Sequence, residues 1–362
     1  MTLCAGIALG DDALRAVVLG PGGAEQLSVP PALWRSRSGG LVVGGDPAGT
    51  GAVYRDFADR VGDPVPVIGP DGAPRFGADL MALAAAGLLH HATRGLAPDQ
   101  LMITYPAAWG RYQTSILHSA LAATWLNGIP TGFVSSPVAT AEAAEAVGAI
   151  RPGETVLAVD VGGRRTNMAV VAGGVGQARR VVVRSDTDEL GAVLLDRALA
   201  AHIAAHSHAG LAEPTDLDAL RALVDRARRA RKDLVRQPST VVDVPLPTGR
   251  ERVRVVRGEF DALISDSISA GVAAIAHILT DAQRNGAGVT SVLLTGEASR
   301  TPLLAERLST RIRPGALFPA DPEWTLPRAA ADIAANRARQ LRAAPPTPAP
   351  PQRLAHRVPA AA

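Results

Sequence analysis

One local pattern, present twice, constrains this chain more than any other feature. Residues 4–19 and 156–171 each read as an apolar strand, a turn carrying glycine and aspartate, and a second apolar strand. In the first copy, Cys4 to Leu9 meets Gly10-Asp11-Asp12 and returns as Leu14 to Leu19. In the second, Val156 to Val159 meets Asp160-Val161-Gly162-Gly163 and returns as Asn167 to Val171. Apolar runs bracketing a short polar turn are hairpin signals. A unit repeated so far along the chain points to two structurally related halves. The length, 362 residues, suits two domains or one bilobal unit. Glycine at such turns lets backbone N–H groups approach an anion closely. Two opposed turns of this kind can clamp a triphosphate, and Asp160 can hold a hydrated divalent cation. Taken singly, each turn is also an ordinary hairpin.

The rest of the chain alternates strands and helices. Pro21 to Phe76 is rich in Gly, Pro and Asp and reads as short strands only. Helices are predicted over Gly77–Arg94, Thr114–Leu126, Val138–Val147, Leu190–His206, Asp216–Leu234, Pro302–Arg311 and Pro327–Leu341, with one or two more within Gly258–Asn285. Buried strands are predicted at Leu101–Thr104, Gly132–Ser135 and Val289–Leu294, and a strand pair at Thr240–Pro245 and Arg252–Val256. Pro106 reads as the terminator of its strand. Ala343 to Ala362 repeats Pro and Ala without apolar periodicity and is expected to be a disordered tail.

Composition removes several function classes. The chain is 47% hydrophobic and 20% charged, enough to build a core and too apolar for global disorder. Aromatics are 3%, which argues against a base-stacking platform. Net charge is +3, and two of the positive charges, Arg353 and Arg357, lie in the tail. A near-neutral body predicts no nucleic-acid partner, which would need a clustered basic face. The basic run Arg226 to Lys232 reads as a solvated helix face. His202 and His206 are spaced i, i+4 with no Glu between them and read as ordinary surface histidines. A single cysteine, Cys4, allows no disulfide within the chain and agrees with a cytoplasmic location. The apolar stretch Leu3–Leu9 lacks a basic lead and meets Asp11 and Asp12, so it does not read as a secretory signal. Ile268 to Leu279, the longest apolar candidate, is broken by Ser269, Gly271 and His277, so no membrane insertion is expected.

Seven segments, in order, resemble the nucleotide-binding domain of DnaK-type heat-shock chaperones, within the actin-like ATPase superfamily. Gly6-Ile7-Ala8-Leu9-Gly10-Asp11-Asp12 stands where that family has its first phosphate loop. Ile103-Thr104-Tyr105-Pro106-Ala107 resembles its strand ending in Val-Pro-Ala. Ser135-Ser136-Pro137-Val138-Ala139 stands at its Asn-Glu-Pro-Thr-Ala connection. Asp160 to Asn167 occupies its second phosphate loop. Leu190-Gly191 with Asp196 is similar to its Gly-Gly-x-x-Phe-Asp helix start. Ala230-Arg231-Lys232-Asp233-Leu234 is similar to the helix that reaches the adenosine, and Gly296 to Pro302 to the loop on which adenine rests. The resemblance covers about residues 4–342. It implies an α/β, actin-like (ribonuclease-H-like) bilobal ATPase fold around a central nucleotide cleft. Lobe I is expected at about 1–176 plus 320–342 and lobe II at 177–319. The implied cofactors are ATP or ADP with Mg. The implied nucleotide-binding residues are Gly10, Asp11, Asp12, Gly162, Gly163, Arg164, Arg165, Arg231, Lys232, Gly296 and Arg300. Asp160 is the implied catalytic and Mg-binding carboxylate.

The phosphate loops are degenerate against that pattern. The metal-shell Asp of the first loop is Ala8, and the hydroxyl residues after it are Asp11 and Asp12. The connecting Glu is Ser136. In the second loop the third Gly is Arg164, the Thr is Arg165 and the later Asp is Asn167. Arg60 stands near the position of the catalytic lysine, and the second Gly of the adenosine loop is Glu297. Carboxylates facing a phosphate repel it. Arg164 and Arg165 either replace a metal as fixed cations or are solvated surface arginines. Hydrolysis needs a positioned metal and water, so more is lost for turnover than for binding. The expected function is therefore a DnaK-like pseudo-ATPase without a peptide-binding domain, acting as a regulatory or interaction module for a protein partner. The alternative is a slow but active chaperone-like ATPase. A sugar kinase of the same superfamily is disfavoured by the helix around Lys232.

Overall fold

The computed structural model describes residues 2–36, 38–45, 52–69, 72–174, 177–207, 217–246 and 249–343. The expected disordered tail lies outside them except for Ala343. The chain begins with β1 (Cys4–Leu9), β2 (Leu14–Gly20) and β3 (Gly23–Val29). Short strands follow: β4 (Leu33–Arg35), β5 (Leu41–Val42) and β6 (Ala52–Tyr54) form a small sheet, and β7 (Val67–Ile68) pairs with β8 (Pro74–Arg75). Then come α1 (Gly77–Thr93), β9 (Gln100–Tyr105), α2 (Arg111–Leu121), β10 (Thr131–Ser135) and α3 (Ser136–Ala146). The second half opens with β11 (Val156–Val161), β12 (Thr166–Gly174) and β13 (Gln177–Thr187). It continues through α4 (Ala192–Ala205), α5 (Leu217–Arg236), β14 (Ser239–Leu246), β15 (Gly249–Val256) and α6 (Arg257–Arg284). It closes with β16 (Ser291–Thr295), α7 (Pro302–Arg311), β17 (Ala316–Leu317) and α8 (Thr325–Ala343).

The repeat visible in the two hairpins extends to two whole sheets. The first sheet runs β10-β9-β1-β2-β3, the second β17-β16-β11-β12-β13. In each, the central strand is parallel to the neighbour on one side and antiparallel to the hairpin partner on the other. The outer strands repeat the same directions. This mixed α/β architecture is the expected actin-like fold. Both central strands are nearly wholly buried, as strands covered on both faces must be. Alanine-rich α1 packs on the first sheet from one side. α8 covers β1 from the other, so closely that a Cβ on Gly6 would lie 2.2 Å from the Ala331 amide nitrogen. α4, α5, α6 and α7 bury their apolar faces with the second sheet. Among the described residues α6 alone is long and apolar enough to cross a membrane by length and composition. Here its Phe260, Ile264, Ile268, Val272, Ile275 and Ile278 lie in the second core.

The strand pairing bears on where the lobes divide. A boundary at 176 falls between β12 and β13, which pair antiparallel from Thr166↔Thr187 to Gly174↔Gln177. Ladder hydrogen bonds cross that point, and the chain passes from the first sheet to the second between α3 and β11 instead. β13, eleven residues long, lies where no strand is expected, and β3, seven residues long, falls within the stretch read as short strands only. Both are outermost strands of their sheets and mostly exposed: β3 carries no continuous apolar run, and in β13 the short run Val181–Val183 is bracketed by arginines.

Candidate functional site

The two hairpin turns meet. The β1–β2 turn carries Asp11 and Asp12; the β11–β12 turn carries Gly162, Gly163 and Arg164. The Gly163 N–H donates to Asp11 Oδ1 at 3.0 Å, and the Arg164 N–H donates to Asp11 Oδ2 at 2.7 Å. One carboxylate thus accepts a pair of backbone amides across the cleft. The approach needs glycine: a Cβ on Gly163 would fall 2.7 Å from Asp11 Oδ1 and from Asp12 Cβ. Burial, then the Asp12 charge, raises the Asp11 carboxyl above its ordinary range, while the two amides pull it down.

Between the turns lies a cavity of about 210 Å³. Gly10, Asp11, Asp12, Asp160, Gly162, Arg165 and Gly296 line it, as do Ala8, Ser136 and Asn167. Gly296 has φ +89°, and a Cβ there would meet the Val161 carbonyl oxygen at 2.3 Å, so the chain turns toward Asp160 only with glycine at this point. The Thr295 hydroxyl lies 3.4 Å from Asp160 Oδ1. Desolvation, with Asp12 and Asp11 nearby, raises the Asp160 carboxyl to about 7. Ser136 donates its hydroxyl to the Tyr105 carbonyl at 3.0 Å.

The far end of the cleft is built on Glu297. Its carboxylate accepts from Arg231 Nη2 at 2.5 Å and from Arg228 at 3.1 Å (Nε) and 2.5 Å (Nη2). Arg231 Nε also donates to Asp196 Oδ1 at 2.6 Å, and both side chains are fully buried. Lys232 Nζ lies 3.3 Å from Glu323 and 3.6 Å from Glu297. Arg15 completes the network, 2.9 Å from Asp12, 3.4 Å from Glu297 and 3.6 Å from Glu323. It sits on β2 directly opposite Ala8. Arg228 reaches Asp12 at 3.1 Å. Four cations, Arg15, Arg228, Arg231 and Lys232, therefore face four carboxylates, Asp12, Asp196, Glu297 and Glu323. Burial alone would raise Glu297; the Arg228 hydrogen bonds and the Arg231, Arg228 and Lys232 charges hold it well below the carboxylate range.

The structure brings most of the expected residues to one cleft but gives several other partners. Arg164 pairs with Asp56 and lies 3.9 Å from Asp59; Arg165 pairs with Asp186 at 2.8 Å. Arg231 and Lys232 are bound to carboxylates of this chain. Arg300 is exposed and stands outside the lining of the cavity. Arg60, near the expected lysine position, turns to Asp63 and the Val65 carbonyl. The run Arg226–Lys232 is not a solvated face: Arg228, Arg231 and Lys232, at i, i+3 and i+4, point into the network. That spacing was the available signal for Arg228. Arg15 carried none, since an arginine in an apolar strand says nothing of where its far end goes. The rings of His202 and His206 lie 4.2 Å apart at the end of α4.

As arranged, these residues do not fit a magnesium-bound nucleotide. The loop amides that would hold a phosphate already hold Asp11. The cations that would reach the adenosine are neutralised. The remaining cavity is below the roughly 300 Å³ at which pockets for drug-sized ligands begin. Among the described residues, no three His, Cys, Asp or Glu side chains are placed to hold a metal ion.

A family model described as Hsp70 protein matches residues 134–317. Curated relatives include the chaperone protein HscA homolog of Burkholderia mallei (strain SAVP1), 28% identical over 232 residues, covering 64% of this chain and 36% of that protein. The homologs of Burkholderia pseudomallei (strain 668) and Shewanella loihica (strain ATCC BAA-1088 / PV-4) are each 28% identical, with the same shares of the chains covered. The chain thus spans about a third of the length of these relatives.

Proposed function

Because this chain belongs to the Hsp70 family, we propose that it is a chaperone-like module built on the DnaK-type nucleotide-binding fold, which has lost ATP turnover and serves as a regulatory or interaction module for a protein partner. The supporting observation is the state of the reaction centre. Ala8, Ser136 and Asn167 line the cavity where the family resemblance implies Asp, Glu and Asp. Ser136 is turned to a backbone carbonyl, and burial with the Asp12 and Asp11 charges raises the Asp160 carboxyl to about 7. Groups that position water and stabilise transferred phosphoryl charge are each worth on the order of 2–4 kcal/mol. Losing several together costs orders of magnitude in rate. We place the lobes on either side of the α3–β11 connection, with α8 returning to the first, and the module in the cytoplasm, acting without nucleic acid or membrane insertion.

A slow, active ATPase is the second reading. It is favoured by one observation: Gly10, Asp160 and Gly162 line a single cavity between facing turns. Phosphate release from purified protein with magnesium and ATP separates the two. The pseudo-ATPase reading expects no release above background. Turnover that disappears in Asp160→Ala would establish the second.

A further inference from the structure

We propose that Asp11 is a built-in substitute for a bound oxyanion: its carboxylate occupies the amide pair of Gly163 and Arg164 and, with the ion pairs beside it, latches the two lobes shut from within. This rests on the same reading of the cleft as the proposed function and adds how the cleft is regulated.

Two successive backbone N–H groups converging on one point are a general anion receptor, strongest when the acceptor is ionised. Here both oxygens of one carboxylate are used, one per amide, at 3.0 and 2.7 Å. The acceptor belongs to the first sheet's hairpin and the donors to the second's, so the bond pair joins the lobes. Three further contacts cross the same cleft: Asp12 to Arg228 at 3.1 Å, Arg15 to Glu297 at 3.4 Å and Glu323 to Lys232 at 3.3 Å. Glu323 precedes α8, which packs on β1, so it too belongs with the first sheet. Each lobe contributes both signs, so the closed arrangement needs no added charge. A mobile anion must be bound at the cost of its own translational freedom; a tethered carboxylate has already lost most of it. Free phosphate, pyrophosphate or a nucleotide's phosphates must therefore displace a competitor that never leaves. An oxyanion gains the amides only when Asp11 is withdrawn.

Hydrogen exchange of the full chain, read on the segment spanning 161–166, tests this. In the unsubstituted protein the Gly163 and Arg164 amides should be protected, and millimolar inorganic pyrophosphate or magnesium–ATP should leave that protection unchanged. Asp11→Ala should lower it by about tenfold or more, and pyrophosphate or acetate should restore it. Asp11→Asn keeps the shape and one acceptor and should fall between, which keeps the test open if the alanine variant does not fold. The proposal is overturned if either variant protects these amides as well as the original residue. It is also overturned if pyrophosphate or magnesium–ATP changes their protection in the unsubstituted protein. These results are separate from phosphate release: an active enzyme would overturn the pseudo-ATPase reading, whereas unchanged exchange in the variants would overturn the latch alone.

Discussion

The two ends of the cleft each hold a carboxylate on groups expected to serve a nucleotide, but they hold it by different means. Asp11 is held by backbone amides at the lobe boundary. Glu297 is held by guanidiniums, with its side chain 1% exposed and that of Arg231 equally buried. A backbone amide without its partner can turn to water if water reaches it. A buried guanidinium without its counter-ion remains an uncompensated charge. The amide-held end is therefore replaceable and the guanidinium-held end is structural. The latch can change without unfolding the lobe behind it, whereas the network around Glu297 cannot.

The sharpest way to break this contrast is Glu297→Ala. It strands Arg228 and Arg231 and should cost roughly 3–5 kcal/mol in urea denaturation at neutral pH. Glu297→Gln, which keeps acceptors, should cost less. The Glu297 carboxyl is lowered on folding, so its contribution is full above the unfolded value of about 4.5 and fades as pH falls toward the folded one. The gap between Glu297→Ala and the original protein should narrow in acid. A loss below 1 kcal/mol would put both ends of the cleft in the same class.

Asp160 gives an effect of opposite sign. Its carboxyl is raised from 3.8 to about 7, so between those values the folded chain binds more protons than the unfolded. Stability contributed by this group therefore falls as pH rises from about 4 through 7. Asp160→Asn should remove the penalty, stabilising the protein by roughly 4 kcal/mol at pH 8 and by less than half of that at pH 5. Thermal melts of both proteins across that range check it; a gain equal at the two pH values would mean that charge is not the cause.

Asp11→Ala should cost less, about 1 kcal/mol. Two charge-assisted bonds are lost, but the repulsion between Asp11 and the neighbouring Asp12 and Asp160 is relieved. Chemical denaturation should show this small loss together with the large change in local exchange. A loss as large as that of Glu297→Ala would mean that the amide-held end is structural as well.

The sequence carried the architecture further than the site. The hairpin around Gly10 and that around Gly162 were legible because short apolar runs and glycine turns are local properties. Helix Pro302–Arg311 was legible for the same reason, with proline at its start and polar residues at its end. β13 was not, because its three consecutive valines, Val181 to Val183, are bracketed by arginines on a mostly exposed outer strand. For the site, the facing turns follow from the repeat, and Gly10, Asp11, Asp12, Asp160 and Gly162 do meet in one cavity. The pairing of Asp11 with the opposite loop was not readable: the pattern made Asp11 an obstacle to phosphate, and only the distance between the loops shows that it reaches their amides. Glu297 stood out as a departure from glycine, but its partners lie 66 and 69 positions earlier and no local spacing joins them.

The smallest expected effect concerns Arg165, which lines the cavity yet reaches Asp186 on β13. Both side chains are nearly half exposed, at 45% and 46%, so water competes for the pair and salt screens it. Such pairs contribute at most about 0.5–1 kcal/mol, and Arg165→Ala should change stability by less than about 0.5 kcal/mol. The informative measurement is the combination with Asp11→Ala. If Arg165 is a fixed cation for an oxyanion, removing it should weaken pyrophosphate's recovery of amide protection in the Asp11→Ala background several-fold. If it is a solvated arginine tied to β13, recovery should be the same with and without it. The second outcome is expected, because Arg165 already has a carboxylate partner and the amides of Gly163 and Arg164, once vacated, supply the anion's donors without it.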